Sequence, residues 1–333
     1  MEVLVLGGTQ HVGRAIVEEA LARGHTVTTL NRGLRGPTAS GVRALHADRL
    51  DADSVRTALR TFRGDVAIDT WSGSPRAVSD ATSLLVDRVD HYTYVSSRSV
   101  YRWPIPVDAD ECSPVVEGDP FSDDDSDYAA AKRGGEFATT LTFAERALIA
   151  RAGLILGPYE IMGRLPWWLR RLERGGRVLC PGPSDRKLQY IDGRDLASFI
   201  LTASEQRLGG TFNTVSHPGH TTMGELLEIA RVETGSGAEL FWVSPSTIEA
   251  AGFAPWTELP IWVPPTGELS GLHCGNVSMA QAAGLRCRPI AETIADTWKW
   301  LIAEGDPATL TDGSVGLSQE REAQFFASQQ RIY

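Results

Sequence analysis

At 333 residues, with 42% hydrophobic and 22% charged side chains, the chain is composed like an ordinary soluble globular protein and is long enough for one large domain or two. A formal net charge of −10 argues against a surface built to coat nucleic acid, which needs a basic field, and no apolar run is long enough to cross a bilayer. Neither nucleic acid nor membrane is therefore expected as a partner. With the first strand starting two residues in, no signal peptide is expected either, and the expected location is cytoplasmic. The cysteines Cys112, Cys180, Cys274 and Cys287 are scattered without CxxC spacing, so neither a metal site nor a disulfide frame is expected.

From Met1 to about Leu156, short β-rich runs alternate with helical stretches. The runs are Val3–Leu6, Thr26–Leu30, Arg43–His46, Val66–Asp69, His91–Val95 and Ala147–Leu156. Between them lie helical segments at Val12–Ala22, Ala52–Thr61, Pro75–Val86 and Tyr128–Leu141. This order predicts an α/β fold, a doubly wound parallel Rossmann sheet with a smaller mixed C-terminal substrate lobe. The predicted division is 1–156 plus about 189–215 for the dinucleotide-binding domain, 157–188 and 216–304 for the substrate lobe, and 305–333 for a tail. Within the second half, Gln189–Ile191 reads as a strand leading into a helix over Asp192–Ser204, which returns the chain to the sheet. A strand at Thr211–Val215, a helix at Met223–Glu233, a strand at Glu239–Val243 and an amphipathic helix from Ile290 to about Ile302 follow. In the tail, Phe325 and Phe326 argue for a docked helix near Ser318–Ser328, with a partner subunit as one surface to receive it.

The opening stretch VLVLGGTQHVG joins a buried strand, a glycine turn and a helix start. The glycines let the backbone approach a pyrophosphate, and the free N–H groups of the helix start complement its charge. Gly7, Thr9, Gln10, His11, Val12 and Gly13 are thus the expected cofactor-binding residues, although Gln10 stands where a glycine is usual. At the end of the second strand the sequence reads Asn31-Arg32 where an NAD enzyme usually carries an acid. An arginine there pairs with a 2′-phosphate, so NADP is expected, with NAD as the alternative. Asp48 ends the third strand, where it either accepts from the adenine amine or caps the following helix. Trp71-Ser72-Gly73, after the fourth strand, is expected to bring a bulky ring and a flexible turn toward the cofactor.

Two further pieces carry chemistry. Tyr128 and Lys132 lie four apart at the start of a predicted helix, so phenol and ammonium share one face. A nearby cation favours the phenolate and lowers the tyrosine pKa, which suits proton exchange at a carbinol centre. Ahead of them, the fifth strand runs into the hydroxyl cluster Ser96-Ser97-Arg98-Ser99, placed to hydrogen-bond a substrate oxygen.

Together these residues make the chain resemble the short-chain dehydrogenase/reductase superfamily, in its extended or atypical branch of epimerase/dehydratase-like reductases. GGTQHVG resembles that branch's glycine turn, VSSRSVY its serine motif, YAAAK its tyrosine–lysine pair and QYIDGRDLA the segment that returns to the sheet. The resemblance implies three catalytic residues: Tyr128 as proton donor or acceptor, Ser97 orienting the substrate oxygen, and Lys132 holding the nicotinamide ribose and tuning Tyr128. Because the family often pairs through helices, it also allows a homodimer.

The departures narrow the substrate. Nucleotide-sugar enzymes of this branch usually carry an asparagine at the position of Leu154 and an arginine at that of Leu188, both contacting the diphosphate. Leucine offers no donor, and an unpaired phosphate oxygen in a closed site costs about 1–3 kcal/mol. Arg98-Ser99 also replaces the Asp-Glu pair of the dehydratases. The expected activity is therefore hydride transfer to or from a ketone or secondary alcohol of a small-molecule substrate. Nucleotide-sugar epimerisation or dehydration is the alternative, and RNA binding, known in the atypical branch, is disfavoured by the acidic charge. Trp71, Trp103, Tyr159, Trp167, Trp168, Trp256 and Trp262 suit an aromatic substrate or, for most of them, simple core packing. His217-Pro-Gly-His220 has no third ligand nearby and reads as a surface loop. The acidic run Asp123–Asp127 reads as a solvated loop that favours the start of the Tyr128 helix.

Overall fold

The computed structural model describes residues 1–34 and 39–329. In its first part, β1 (Glu2–Leu6), α1 (His11–Ala22), β2 (Thr26–Asn31), β3 (Val42–His46), α2 (Ala52–Ala58), β4 (Gly64–Asp69), α3 (Pro75–Leu85), β5 (Val89–Ser97), α4 (Tyr128–Phe143) and β6 (Ala147–Ala152) alternate as predicted. Then come β7 (Ile155–Leu156), α5 (Arg164–Glu173), β8 (Arg177–Pro181), β9 (Lys187–Leu188), β10 (Ile191–Asp192), α6 (Gly193–Glu205) and β11 (Gly210–Thr214). The chain continues through β12 (Thr221–Thr222), α7 (Met223–Glu233), β13 (Glu239–Val243), α8 (Pro245–Ala250), α9 (Ser278–Ala282), α10 (Ile290–Glu304), α11 (Ala308–Thr311) and α12 (Gln319–Gln329).

The main sheet has seven strands in the order β11-β6-β5-β4-β1-β2-β3, all parallel. Its central strands are buried on both faces, and β1 accordingly reads as an unbroken apolar run from Val3 to Leu6, while β6 carries the buried Arg151. The strand order reverses between β1 and β4, and a ligand crevice therefore opens above their C-terminal ends. Helix starts are capped as short acidic side chains dictate: Asp51 accepts from Asp53 and Ser54 N–H groups, and Asp127 from Ala129 and Ala130. The cap of α2 is thus Asp51, while Asp48 accepts from the Leu50 N–H at 3.0 Å in a turn of its own.

Two predicted strands are broken. The expected run from Ala147 to Leu156 leaves the sheet after Ala152, because Leu154 and Leu156 turn into the apolar core of the second lobe; β7 then pairs with β10. The expected Gln189–Ile191 strand is interrupted at Gln189 itself. Its buried amide donates to the carbonyls of Ser216 and Gly275 at 2.8 and 2.9 Å, while its Oε1 accepts from the Gly275 N–H. A side chain so engaged sits between β9, which pairs with β12, and β10.

The second lobe packs around Trp168, Leu169, Leu188, Leu227, Trp262 and Ile294. Trp168 and Trp262 are core residues whose indoles donate to the carbonyls of Pro260 and Gly182. Helix α12 docks on this same lobe: Phe325 is buried against Phe253, and Phe326 meets Phe241 edge-on. Glu322 secures it, accepting from Arg171 at 2.7 Å and from the Leu179 N–H at 3.0 Å.

Below the crevice lies a buried ion pair. Arg151 on β6 donates to both oxygens of Glu136 on α4, at 2.8 and 2.9 Å, and Ser96 donates to the same carboxylate at 2.8 Å. Removing one member leaves a buried charge alone, so Glu136→Gln should lower stability by about 3–5 kcal/mol. The double variant Glu136→Leu/Arg151→Met should recover most of that loss. Urea unfolding midpoints of the variants test both.

Candidate active site

The glycine turn forms the first wall of the crevice. Gly7 has φ +124, and a Cβ there would lie 2.4 Å from the Thr70 hydroxyl oxygen. A Cβ on Gly13 would lie 2.7 Å from the Gly8 nitrogen, so α1 starts in direct contact with the turn. This is a cradle that only glycine leaves open, and it fits the close backbone approach a pyrophosphate requires. Gln10 takes the N-cap position of α1 without a side-chain cap bond. Thr9 sits beside it, half-buried. Val12 is buried in the core under α1. His11 turns inward: its Nε2 is buried with no partner, and desolvation pushes its pKa down to about 4, against the field of Asp192.

At the far end of the crevice Asn31 donates to the Gly7 carbonyl at 3.2 Å and accepts from the Gly33 N–H at 2.8 Å. It ties the end of β2 to the turn. Arg32 and Asp48 are both exposed there.

Trp71 is placed by Asp69. The Asp69 carboxylate, fully buried, accepts from Arg49 at 3.0 and 2.9 Å, from the Tyr92 hydroxyl at 2.7 Å and from the Trp71 N–H at 2.9 Å. The Trp71 indole folds back to donate to the Ser74 carbonyl at 3.0 Å. The ring is therefore pinned, where the sequence suggested a flexible turn. What Trp71 offers the site is its carbonyl, which accepts from Lys132 Nζ at 2.6 Å.

Lys132 is buried, and its second partner is the Val95 carbonyl at 2.7 Å. Desolvation lowers its pKa to about 8, opposed by Asp69 and Glu136, so it stays charged at neutral pH. Tyr128, one turn earlier on α4, is 47% exposed at the mouth of the crevice. Ser97, half-buried at the end of β5, accepts from the Ser99 N–H at 3.1 Å. The fold thus brings Ser97, Tyr128 and Lys132 to one place beside the glycine turn.

One expectation needs correcting. Lys132 does not draw the phenol of Tyr128 down, because its ammonium points to the two carbonyls. The Tyr128 pKa is raised instead, by desolvation, with hydrogen bonding to Ser97 and the charge of Arg164 pulling the other way.

Arg164 and its neighbour Glu160 are site residues that sequence reasoning missed. Glu160 is fully buried and accepts from the Arg164 and Leu165 N–H groups at 2.7 and 3.2 Å, capping α5 from outside. Desolvation raises its pKa to about 7. The signal was an acid shortly ahead of a helix start, which is a common capping arrangement and not specific to a site. Among the described residues no group of His, Cys, Asp and Glu is placed to hold a metal ion, and no helix is long and apolar enough to cross a membrane.

Residues 3–214 match the NAD dependent epimerase/dehydratase family. The chain belongs to that family. It is 29% identical over 269 residues to the epimerase family protein SDR39U1 of Bos taurus, covering 76% of this chain and 86% of that one. It is 25% identical over 268 residues to the uncharacterized protein y4nG of Sinorhizobium fredii, covering 74% of this chain; the match spans 64% of that relative's own length. Among solved structures, UDP-glucose 4-epimerase of Thermus thermophilus in complex with NAD superposes with a TM-score of 0.66 at 21% identity, covering 91% of this chain and 100% of that one. At that identity the likeness establishes the fold.

Glu160 makes the site sensitive to pH in a defined direction. A carboxyl raised from 4.5 to about 7 stabilises the fold below pH 4.5, and that contribution is lost as pH rises through 7. Glu160→Gln keeps an oxygen acceptor for α5 but does not titrate. Its stability relative to wild type should therefore improve between pH 4.5 and 7.5, as measured by denaturant unfolding. A difference that stays flat across this window sinks the assignment.

Proposed function

We propose that the protein is an NADP(H)-dependent oxidoreductase acting on a ketone or secondary alcohol of a small organic metabolite. The observation that carries this reading is the convergence of the Ser97 hydroxyl, the Tyr128 phenol and the carbonyl-anchored Lys132 beside the Gly7–Gly13 cradle. When bound, the nicotinamide supplies hydride to a carbonyl carbon or takes it up in the reverse direction. Gly7, Gly13 and the N–H groups of the α1 start would hold the pyrophosphate, and Lys132 would face the nicotinamide ribose.

The chain's own residues handle the oxygen. A phenol held above its ordinary pKa is protonated at neutral pH, so Tyr128 is poised as a donor to a carbonyl oxygen, which suits reduction. Ser97 orients that oxygen. In the reverse direction Tyr128 takes the proton back. For cofactor choice, the described residues at the end of β2 offer no carboxylate, since Asn31 is engaged with the turn and Arg32 is exposed. An arginine at the end of β2, where an acid would favour NAD, supports NADP over NAD.

Leu154 and Leu188, where nucleotide-sugar enzymes carry polar groups, are buried in the core of the second lobe. Neither presents a donor to a diphosphate. This supports the smaller substrate over a nucleotide sugar.

Tyr128→Phe should lose about 10²–10⁴-fold in kcat/KM on a panel of ketones, followed at the nicotinamide absorbance, while NADPH binding is retained. Full turnover by that variant overturns the mechanism. Arg32→Glu should weaken NADPH binding about tenfold or more and leave NADH binding unchanged, as titration of the intrinsic fluorescence would read.

A further inference from the structure

We propose that Arg164 is an anion subsite of this cleft, and that the substrate carries a carboxylate seated on its guanidinium while the reacting oxygen lies on Tyr128 and Ser97. The inference rests on the reading of Tyr128 as the catalytic phenol and extends it to the substrate's class.

Arg164 is the first residue of α5. Its nearest acid does not pair with it, because both oxygens of Glu160 are taken by the backbone N–H groups of Arg164 and Leu165. The guanidinium lies over the Trp256 ring, 4.8 Å from the ring centroid. A cation so placed is attracted to the ring face without using its N–H donors. The charge of Arg164 acts on both Tyr128 and His11, so it lies near the phenol and near the start of α1. The guanidinium is half-buried and makes no hydrogen bond or ion pair among the described residues, so its N–H donors remain free for a ligand.

Lys132 donates to two carbonyls and Arg186 serves the carbonyls of Val263, Pro264 and Ser270, while Arg98 is buried, spends Nη1 on Gln189 and the Leu272 carbonyl, and has Nε and Nη2 enclosed without a partner. One free fork matches one carboxylate, which it can grip through two parallel N–H···O bonds. A diphosphate would need further donors, and Leu154 and Leu188 supply none.

The test pairs short 2-oxo, 3-oxo and 4-oxo carboxylic acids with their methyl esters and titrates each into the full-length protein with NADP⁺ bound, following tryptophan fluorescence. At least one acid should bind about tenfold or more tightly than its ester, the range of a charge-assisted hydrogen bond. That preference should vanish in Arg164→Gln and survive in part in Arg164→Lys, with NADP⁺ affinity unchanged in both. A panel in which no acid binds more tightly than its ester overturns the proposal, as does a preference that persists in Arg164→Gln. The two readings separate through Tyr128→Phe. Full turnover in that variant alongside an Arg164-dependent acid preference overturns the catalytic reading and leaves the subsite; lost turnover without any acid preference does the reverse.

Discussion

The buried carboxylate of Glu136 is the constraint on which the rest of the site depends. It sits one turn below Lys132 on α4 and receives hydrogen bonds from Ser96 on β5, Arg151 on β6 and Arg133 on its own helix. Arg151 passes the network on to the Tyr101 hydroxyl, which donates to Asn213 on β11. A charge in that interior tolerates little displacement, because losing a partner leaves it desolvated and unpaired. The helix that carries the phenol and the ammonium is thereby registered against the strand that carries Ser97. Gly135 serves the same contact: a Cβ there would lie 2.5 Å from the Tyr94 ring, so the helix can rest on the sheet only without one. A glycine inside a helix costs about 1 kcal/mol relative to alanine, and close approach is the reason to accept it.

A second chain of bonds reaches the ammonium from the other side. Asp69 is held by Arg49 and Tyr92 and fixes the Trp71 backbone, and the Trp71 carbonyl then receives Lys132. Lys132 is therefore positioned by polar groups from β4 and β5 together, and its charge is spent on carbonyls before any ligand arrives. The phenol of Tyr128 is left to its surroundings and is held in its protonated form. The division of labour between the two residues differs from what their spacing on a helix suggests.

Much of the fold was legible in the chain. Parallel strands buried on both faces leave continuous apolar runs, and glycines with positive φ mark the turn at the end of β1. The strand breaks after Ala152 and at Gln189 were not legible, because each follows from where one side chain is buried in another lobe. Ser97, Tyr128 and Lys132 could be named from local motifs, while Asp69, Glu136, Glu160 and Arg164 could not. Acids and arginines are frequent here, and only burial distinguishes a structural ion pair from a solvated one.

The sequence by itself determined the doubly wound sheet, the glycine cradle and the hydroxyl, phenol and ammonium set, since each depends on residues close together in the chain. Tertiary structure alone decided what those groups face. Glu136 meets Arg151 across 15 positions and Trp71 meets Lys132 across 61. Arg164 comes to lie near Tyr128 only because a second lobe folds over the crevice. Desolvation, which shifts the pKa values of Tyr128, Lys132 and Glu160, is a property of that packing and has no local signature in the chain.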